Sequence, residues 1–79
     1  MPDPETIMVQ YVIYRHPKDY PGQYVVRKWH IMKGQSEPEA DKECQAVDTL
    51  EAARKLVPPG MYCMGRAPGD DPIILEVWV

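Results

Sequence analysis

The sequence predicts an α+β fold in which one helix packs on one face of a small, mostly antiparallel β-sheet. Two stretches near the N-terminus, 7–15 and 24–32, are rich in β-branched and aromatic residues, which are typical of strands. A later stretch at about 49–57 has apolar residues at helical spacing and a helix-start signal before it. Because 79 residues leave room for only one hydrophobic core, we expect residues 1–79 to form a single domain.

The two N-terminal strands are expected to form an antiparallel β-hairpin. The segment between them, HPKDYPGQ, consists of turn-forming residues, and Pro21-Gly22 suits the centre of a type II turn. A register that pairs odd with odd positions makes one face of the hairpin almost wholly apolar, so we expect that face to be the core. The members of this predicted core face are Ile7, Val9, Tyr11, Ile13, Val25, Arg27, Trp29 and Ile31.

The start of the helix is the clearest local signal. Asp48 and Glu51 have the spacing of a capping box, in which each side chain accepts a hydrogen bond from a backbone amide near the other. Pro58-Pro59-Gly60 ends the helix, because proline lacks the amide that the helical ladder needs. The predicted apolar stripe contains Leu50, Ala53 and Val57.

The remaining segments are interpreted from composition. We expect short strands near 43–47 and 61–64, and a final strand at 73–79. The final strand is apolar on both sides, which favours a central or well-covered place in the sheet. The polar segment 33–42 is expected to be a mobile surface loop, and the proline-containing segment 1–5 a flexible tail.

Composition favours a cytoplasmic protein with no membrane association. Apolar residues make up 44% of the chain and charged residues 27%, as in ordinary globular proteins. The longest strongly apolar runs are far shorter than the roughly 20 residues needed to cross a bilayer. The N-terminal sequence MPDPE has neither the basic start nor the apolar stretch of a secretory signal. Cys44 and Cys63 are therefore more consistent with free cytoplasmic thiols than with a disulfide.

The histidines and cysteines do not have the spacing of a metal site. His16, His30, Cys44 and Cys63 form no CxxC, CxxH or HxxxH pattern, which zinc sites commonly use. The predicted hairpin also separates the two histidines by roughly 20–26 Å. We therefore expect no metal ion and no cofactor.

Catalytic signatures are likewise missing from the sequence. Ser36 is the only serine and the glycines occur singly, which argues against a nucleophile elbow and a glycine-rich phosphate loop. Asp70 and Asp71 are expected to stabilise a turn rather than to bind a metal. We expect a non-enzymatic protein; the alternative is an enzyme with a small pocket between helix and sheet.

Charge is segregated along the chain. Residues 15–33 have a net charge of +4, whereas residues 34–51 have a net charge of −5. Either the two segments are solvated and neutralise each other at long range, or the hairpin presents a basic, aromatic surface to an acidic partner.

The outer face of the hairpin is the predicted binding surface. Its rings and cations suit contact with another protein, or self-association that includes pairing at a sheet edge. Binding of single-stranded nucleic acid, whose bases stack on aromatic rings, is the alternative; the net charge of −3 weighs against it. The residues expected to contact a partner are Tyr14, Tyr20, Tyr24, Lys28 and His30.

Overall fold

The computed structural model describes residues 6–34, 37–65 and 72–79. The elements are β1 (Thr6–Arg15), β2 (Tyr24–Met32), β3 (Glu39–Val47), α1 (Leu50–Lys55) and β4 (Ile74–Trp78). The strands form one antiparallel sheet in the order β3-β2-β1-β4. The α+β class is therefore confirmed as a four-stranded antiparallel sheet with one short helix. The predicted tail and positions 35 and 36 of the predicted loop lie outside the described residues.

The observed register of β1 and β2 differs from the predicted one. Ile13 pairs with Val26 and Tyr14 pairs with Val25, so odd positions of β1 lie opposite even positions of β2. The odd-with-odd register is wrong. It failed because Val25 and Val26 are both buried, at 4% and 5% exposure, so that apolar parity along β2 does not distinguish the two faces.

The main core lies on the helix side of the sheet. Ile13 is fully buried and packs with Val26 and with Ala53 and Val57 from the helical segment. Partly buried side chains packed around this cluster include Tyr11, Tyr24, Val47, Leu50, Leu56, Met61, Leu75 and Trp78. The core therefore takes the odd positions of β1 and the even positions of β2, together with the apolar side of α1.

Most of the predicted core face is consequently misplaced. Val25 is buried, but on the side of the sheet opposite to Ile13, and strand alternation places Arg27, Trp29 and Ile31 on that side with it. Ile7 is 67% exposed because it lies at an irregularity in the pairing of β1 with β2.

The helix begins one residue later than the capping-box pattern predicts. Thr49 is the N-cap, and its Oγ1 accepts a hydrogen bond of 3.1 Å from the amide of Ala52. Asp48 instead accepts a 3.2 Å hydrogen bond from the side chain of Gln23, so the predicted cap at Asp48 is wrong. Threonine and aspartate both serve well as N-caps, and the contact with Gln23 comes from tertiary structure. The six-residue α1 is also shorter than the predicted 49–57.

Strand β3 includes part of the segment predicted to be a loop. Residues 39–42 belong to β3, where Ala40 pairs with Trp29 across an irregularity in the ladder. Pairing with β2 provides hydrogen-bond partners for backbone N–H and C=O groups of this polar segment, while its side chains remain partly solvated. A segment of this kind at a sheet edge needs no alternating apolar pattern, so the sequence predicts only the second part of β3, the short strand at 43–47.

Strand β4 lies at an edge of the sheet, so of the two predicted places, central or well covered, the central one is wrong. On its outer side Cys63 forms an isolated bridge with Trp78. Tyr62 and Val79 exchange two backbone hydrogen bonds of 2.7 and 2.9 Å. The strand predicted at 61–64 is thus reduced to a single bridge that covers the outer edge of β4.

An ion pair joins α1 to β4. Arg54 Nε donates to both carboxylate oxygens of Glu76, at 3.1 and 3.2 Å. Trp78 Nε1 donates to one of the same oxygens at 3.2 Å. Hydrogen bonding by Arg54, assisted by Trp78, lowers the pKa of Glu76 against the opposing effect of desolvation. The carboxylate therefore holds the helix and the last strand together in its ionised form.

The register can be tested by truncating two isoleucines of β1. We expect Ile13→Ala to reduce the free energy of unfolding by about 3 kcal/mol, because Ile13 is fully buried and the truncation leaves a cavity. The matched variant Ile7→Ala should change it by less than about 0.5 kcal/mol, since Ile7 is mostly exposed. Urea denaturation followed by tryptophan fluorescence measures both. Equal losses in the two variants would contradict the observed pairing.

The ion pair gives a pH-dependent contribution to stability. The folded-state pKa of Glu76 lies below its unfolded value, so the contribution is present above the unfolded pKa and is lost as the pH falls through the folded pKa. We expect Glu76→Gln to cost about 1 kcal/mol at neutral pH, a value reduced by the exposure of Arg54. The cost should shrink towards zero in acid. Urea denaturation at both pH values checks this, with exposed Glu37→Gln as the control; a cost independent of pH would refute the assignment.

Candidate functional site

The candidate site lies on the face of the sheet opposite α1, called here the helix-free face. Val12 and Val25 are only 6% and 4% exposed, although α1 packs on the other side. Large side chains stand directly opposite them in the β1–β2 pairs: Arg27 opposite Val12, and Tyr14 opposite Val25. These neighbours stand beside the two valines on the adjacent strand, and the four residues help to line two adjoining grooves.

The larger groove of the helix-free face is mainly apolar and has a volume of about 360 Å³. Trp29 Nε1 donates a 3.2 Å hydrogen bond to Tyr14 Oη, which fixes the two rings against each other. A volume of this size falls within the range of small-ligand pockets, roughly 300–1,000 Å³. The main lining residues are Val12, Tyr14, Trp29, Met64, Ile74 and Val77, with Gln10 as a polar group.

The smaller groove, of about 220 Å³, shares Tyr14 with the larger one and contains charge. Arg27 and Asp19 both line it, together with Tyr20 and Cys44. Cys44 Sγ lies 4.0 Å from Tyr20 Oη, and this contact is the main cause that raises the pKa of Tyr20. Contact with the same thiol raises the pKa of Arg27, so its guanidinium stays protonated.

Arg27 is the one positively charged side chain among the described residues that line the two grooves. It is half-buried, and among the described residues no carboxylate lies within 4.0 Å of its guanidinium. The groups that influence it are the thiol of Cys44 and the hydroxyls of Tyr14 and Tyr20. Its neighbour Lys28 lies on the helix side of the sheet. Strand alternation therefore separates two cations that are adjacent in the sequence.

The five residues predicted to contact a partner do not share one face. Tyr14 and Tyr20 border the smaller groove of the helix-free face. The other three, Tyr24, Lys28 and His30, occupy even positions of β2 and so belong to the helix side. The predicted outer face was assembled on the odd-with-odd register, and it is divided because that register is wrong. Whether any of the five contacts a partner stays a prediction.

Two of the three residues on the helix side, Tyr24 and His30, have specific contacts there. Tyr24 packs against the core, and its ring lies edge-on to that of His16 with centroids 5.1 Å apart. His30 Nε2 lies 3.5 Å from a carboxylate oxygen of Asp41 in β3. The backbone amide of Glu43, and secondly His30, lower the pKa of Asp41. This pair ties β2 to the irregular part of β3.

A third groove of about 260 Å³ lies on the helix side. It is lined by Tyr11, Val26, Lys28 and Leu56, with part of β3. This is the region in which an enzyme with a pocket between helix and sheet would have its site.

Sequence reasoning missed Arg27 and Trp29 as surface residues. Both have odd numbers, and the predicted register assigned the odd positions of both strands to the core. One signal could have found them. A guanidinium is costly to bury in an apolar core without a charged partner, and Arg27 was the single exception in the predicted core face. Its presence there favours the alternative register, which places Arg27 and Trp29 on the same surface as Tyr14.

Comparisons with protein-family models, with curated proteins and with solved structures find no match for this chain.

Other features of the described chain concern metals, membranes and thiols. Over the described ranges, no three His, Cys, Asp or Glu side chains are grouped so as to hold a metal ion. In those same ranges no helix has the length and apolarity required to cross a membrane. Cys44 and Cys63 both carry free thiols.

The hydrogen bond between the two rings of the larger groove can be measured. We expect Tyr14→Phe to reduce the free energy of unfolding by about 1 kcal/mol, because it removes the acceptor of Trp29 Nε1 in a partly buried place. Tyr62→Phe is the control, since Tyr62 is 71% exposed. In a double-mutant cycle with Trp29→Phe, measured by urea denaturation, additive losses would show that the bond contributes nothing.

Proposed function

We propose that this chain is a small non-enzymatic binding protein whose helix-free face receives an apolar or aromatic side chain of a partner protein. The observation that carries the proposal is the 360 Å³ apolar groove with the hydrogen-bonded pair of Tyr14 and Trp29 in its wall. Aromatic side chains that pair a large apolar surface with a polar tip are enriched at protein interfaces.

The exposure of the groove rim supports a docking role. Met64 lines the larger groove and is 63% exposed, and methionine adapts its shape to different apolar partners. Tyr20 borders the smaller groove and is 38% exposed. A partner that covered both side chains would remove apolar surface from water, which is the main favourable term in protein association.

Single-stranded nucleic acid is a weaker candidate for this face. A nucleic-acid backbone carries a phosphate at each nucleotide, and binding proteins neutralise several of them with lysine or arginine. Arg27 is the single cation among the described residues that line the two grooves, and Lys28 lies on the other side of the sheet. The part of the helix-free face that the structure describes therefore offers stacking rings without a track of positive charge.

The proposal is tested with a defined apolar probe and two matched variants. N-acetyl-tryptophanamide, titrated into the full chain and followed by amide and indole NMR, should shift the signals of Val12, Trp29 and Val77. Met64→Glu places a charge at the groove rim and should weaken binding about tenfold, because a carboxylate opposes entry of an apolar group. Tyr62→Glu makes the same change two residues away and should have an effect of less than about twofold.

Two results would contradict the proposed function. The first is an absence of probe-dependent shifts in the larger groove at millimolar concentrations. The second is equal weakening by Met64→Glu and Tyr62→Glu, which would indicate a nonspecific effect of charge. Sedimentation equilibrium completes the test: a dimer that Met64→Glu dissociates would assign the face to self-association instead of a separate partner.

A further inference from the structure

We infer that the partner segment carries an acidic side chain, aspartate or glutamate, whose carboxylate binds the guanidinium of Arg27 while a nearby apolar side chain occupies the larger groove. This inference rests on the proposed function, because it names the chemistry of the partner that docks on the helix-free face.

Within the described ranges, the contacts of Arg27 leave most of its hydrogen-bonding capacity for a ligand. A guanidinium has five N–H donors arranged in a rigid planar fork. In the strand pairs Arg27 stands between Val12 of β1 and Cys44 of β3. The thiol of Cys44 is a weak hydrogen-bonding group, and valine offers none. A carboxylate accepts two parallel hydrogen bonds from such a fork, which is the geometry that guanidinium groups favour.

The surroundings of Arg27 strengthen its attraction for an anion. The side chain is half-buried and stands beside the buried Val12 and Val25. Charges interact more strongly next to low-dielectric apolar groups than in open water. A half-buried guanidinium has also lost part of its hydration, so a charged hydrogen-bond acceptor is a better replacement for water than the neutral groups around it.

The spacing along β2 sets the pattern of the partner segment. Arg27 and Trp29 are two residues apart on one strand, which corresponds to roughly 6.6 Å. Tyr14 borders both grooves, so the charged and apolar subsites adjoin. An extended segment also presents alternate side chains to one side. A segment that carries an apolar and an acidic residue two positions apart therefore matches the two grooves.

The negative charge of Asp19 opposes the binding of an acidic partner segment. Asp19 lines the smaller groove with Arg27, and its charge is among the influences that raise the pKa of Tyr20. It is not within 4.0 Å of the guanidinium, so it does not neutralise Arg27 as a salt bridge would. Its repulsion should weaken the binding of an acidic segment, which provides a second position at which the inference can be tested.

The experiment compares three peptides that differ only in the charge of one side chain. N-acetylated, C-amidated tripeptides of tryptophan-glycine-glutamate, tryptophan-glycine-glutamine and tryptophan-glycine-lysine are titrated into the full chain by NMR. The glutamate peptide should bind about tenfold more tightly than the glutamine peptide, as expected of one partly solvated charge-assisted contact. The lysine peptide should bind most weakly, and added salt should reduce the differences.

Adjacent residues of β2 supply the matched controls. Arg27→Gln should bring the affinities of the glutamate and glutamine peptides to within about twofold of each other. Lys28→Gln removes the same charge from the opposite face and should preserve the preference. Asp19→Asn should tighten binding of the glutamate peptide about two- to threefold. If Arg27→Gln does not fold, Arg27→Lys keeps the charge without the fork and should reduce the preference instead of abolishing it.

The outcomes separate this inference from the proposed function. Equal binding of the three peptides would overturn the acidic partner and leave the apolar groove intact, whereas no binding by any peptide or by N-acetyl-tryptophanamide would overturn both. A glutamate preference that is undiminished in Arg27→Gln, or in Arg27→Lys where the glutamine variant does not fold, would remove Arg27 from the site. Tighter, salt-sensitive binding of oligothymidylate at the same signals would assign the face to nucleic acid and refute the acidic segment.

Discussion

The contact between Ile13 and Val26 determines on which face of the sheet each side chain of β1 and β2 lies. The two side chains stand opposite each other and are covered by Ala53 and Val57 from the helical segment. Because side chains alternate across a sheet, this single pairing sends Arg27 to one face and Lys28 to the other. The chemistry of the helix-free face is thus a consequence of how the core is packed on the opposite side.

Local composition was sufficient to locate most of the secondary structure, but not the faces of the strands. Clustered β-branched and aromatic residues indicate where β1 and β2 lie, and proline and glycine mark where they end. Composition alone does not show which side chains of β2 face the core, because Val25 and Val26 are adjacent and both buried. The cost of burying Arg27 would have favoured the correct register over apolar parity. The first part of β3, residues 39–42, escaped detection for a different reason: this polar segment is ordered by pairing with β2, an interaction distant in sequence.

The candidate site could be predicted only in part for the same reason. Tyr14 and Tyr20 were recognised as aromatic residues near cations, and both border the smaller groove. Parity groups Tyr24, Lys28 and His30 with them and assigns Arg27 and Trp29 to the core. The grooves themselves depend on contacts between β1, β2 and β4 and on the segment around Met64. Such contacts are set by tertiary structure and leave no periodic trace in the chain.

The two outer strands of the sheet differ in how they are protected. Beside the outer side of β4, the amide of Met64 donates to the carbonyl of Val77, and Tyr62 exchanges two hydrogen bonds with Val79 just after the strand, so the C-terminal end of this edge is already paired. The outer strand at the other end, β3, contains three carboxylates, Glu39, Asp41 and Glu43, with one lysine between them. A second copy of β3 aligned alongside would bring like charges together. Both features oppose edge-to-edge pairing of two sheets, which is the route by which exposed strands seed aggregation.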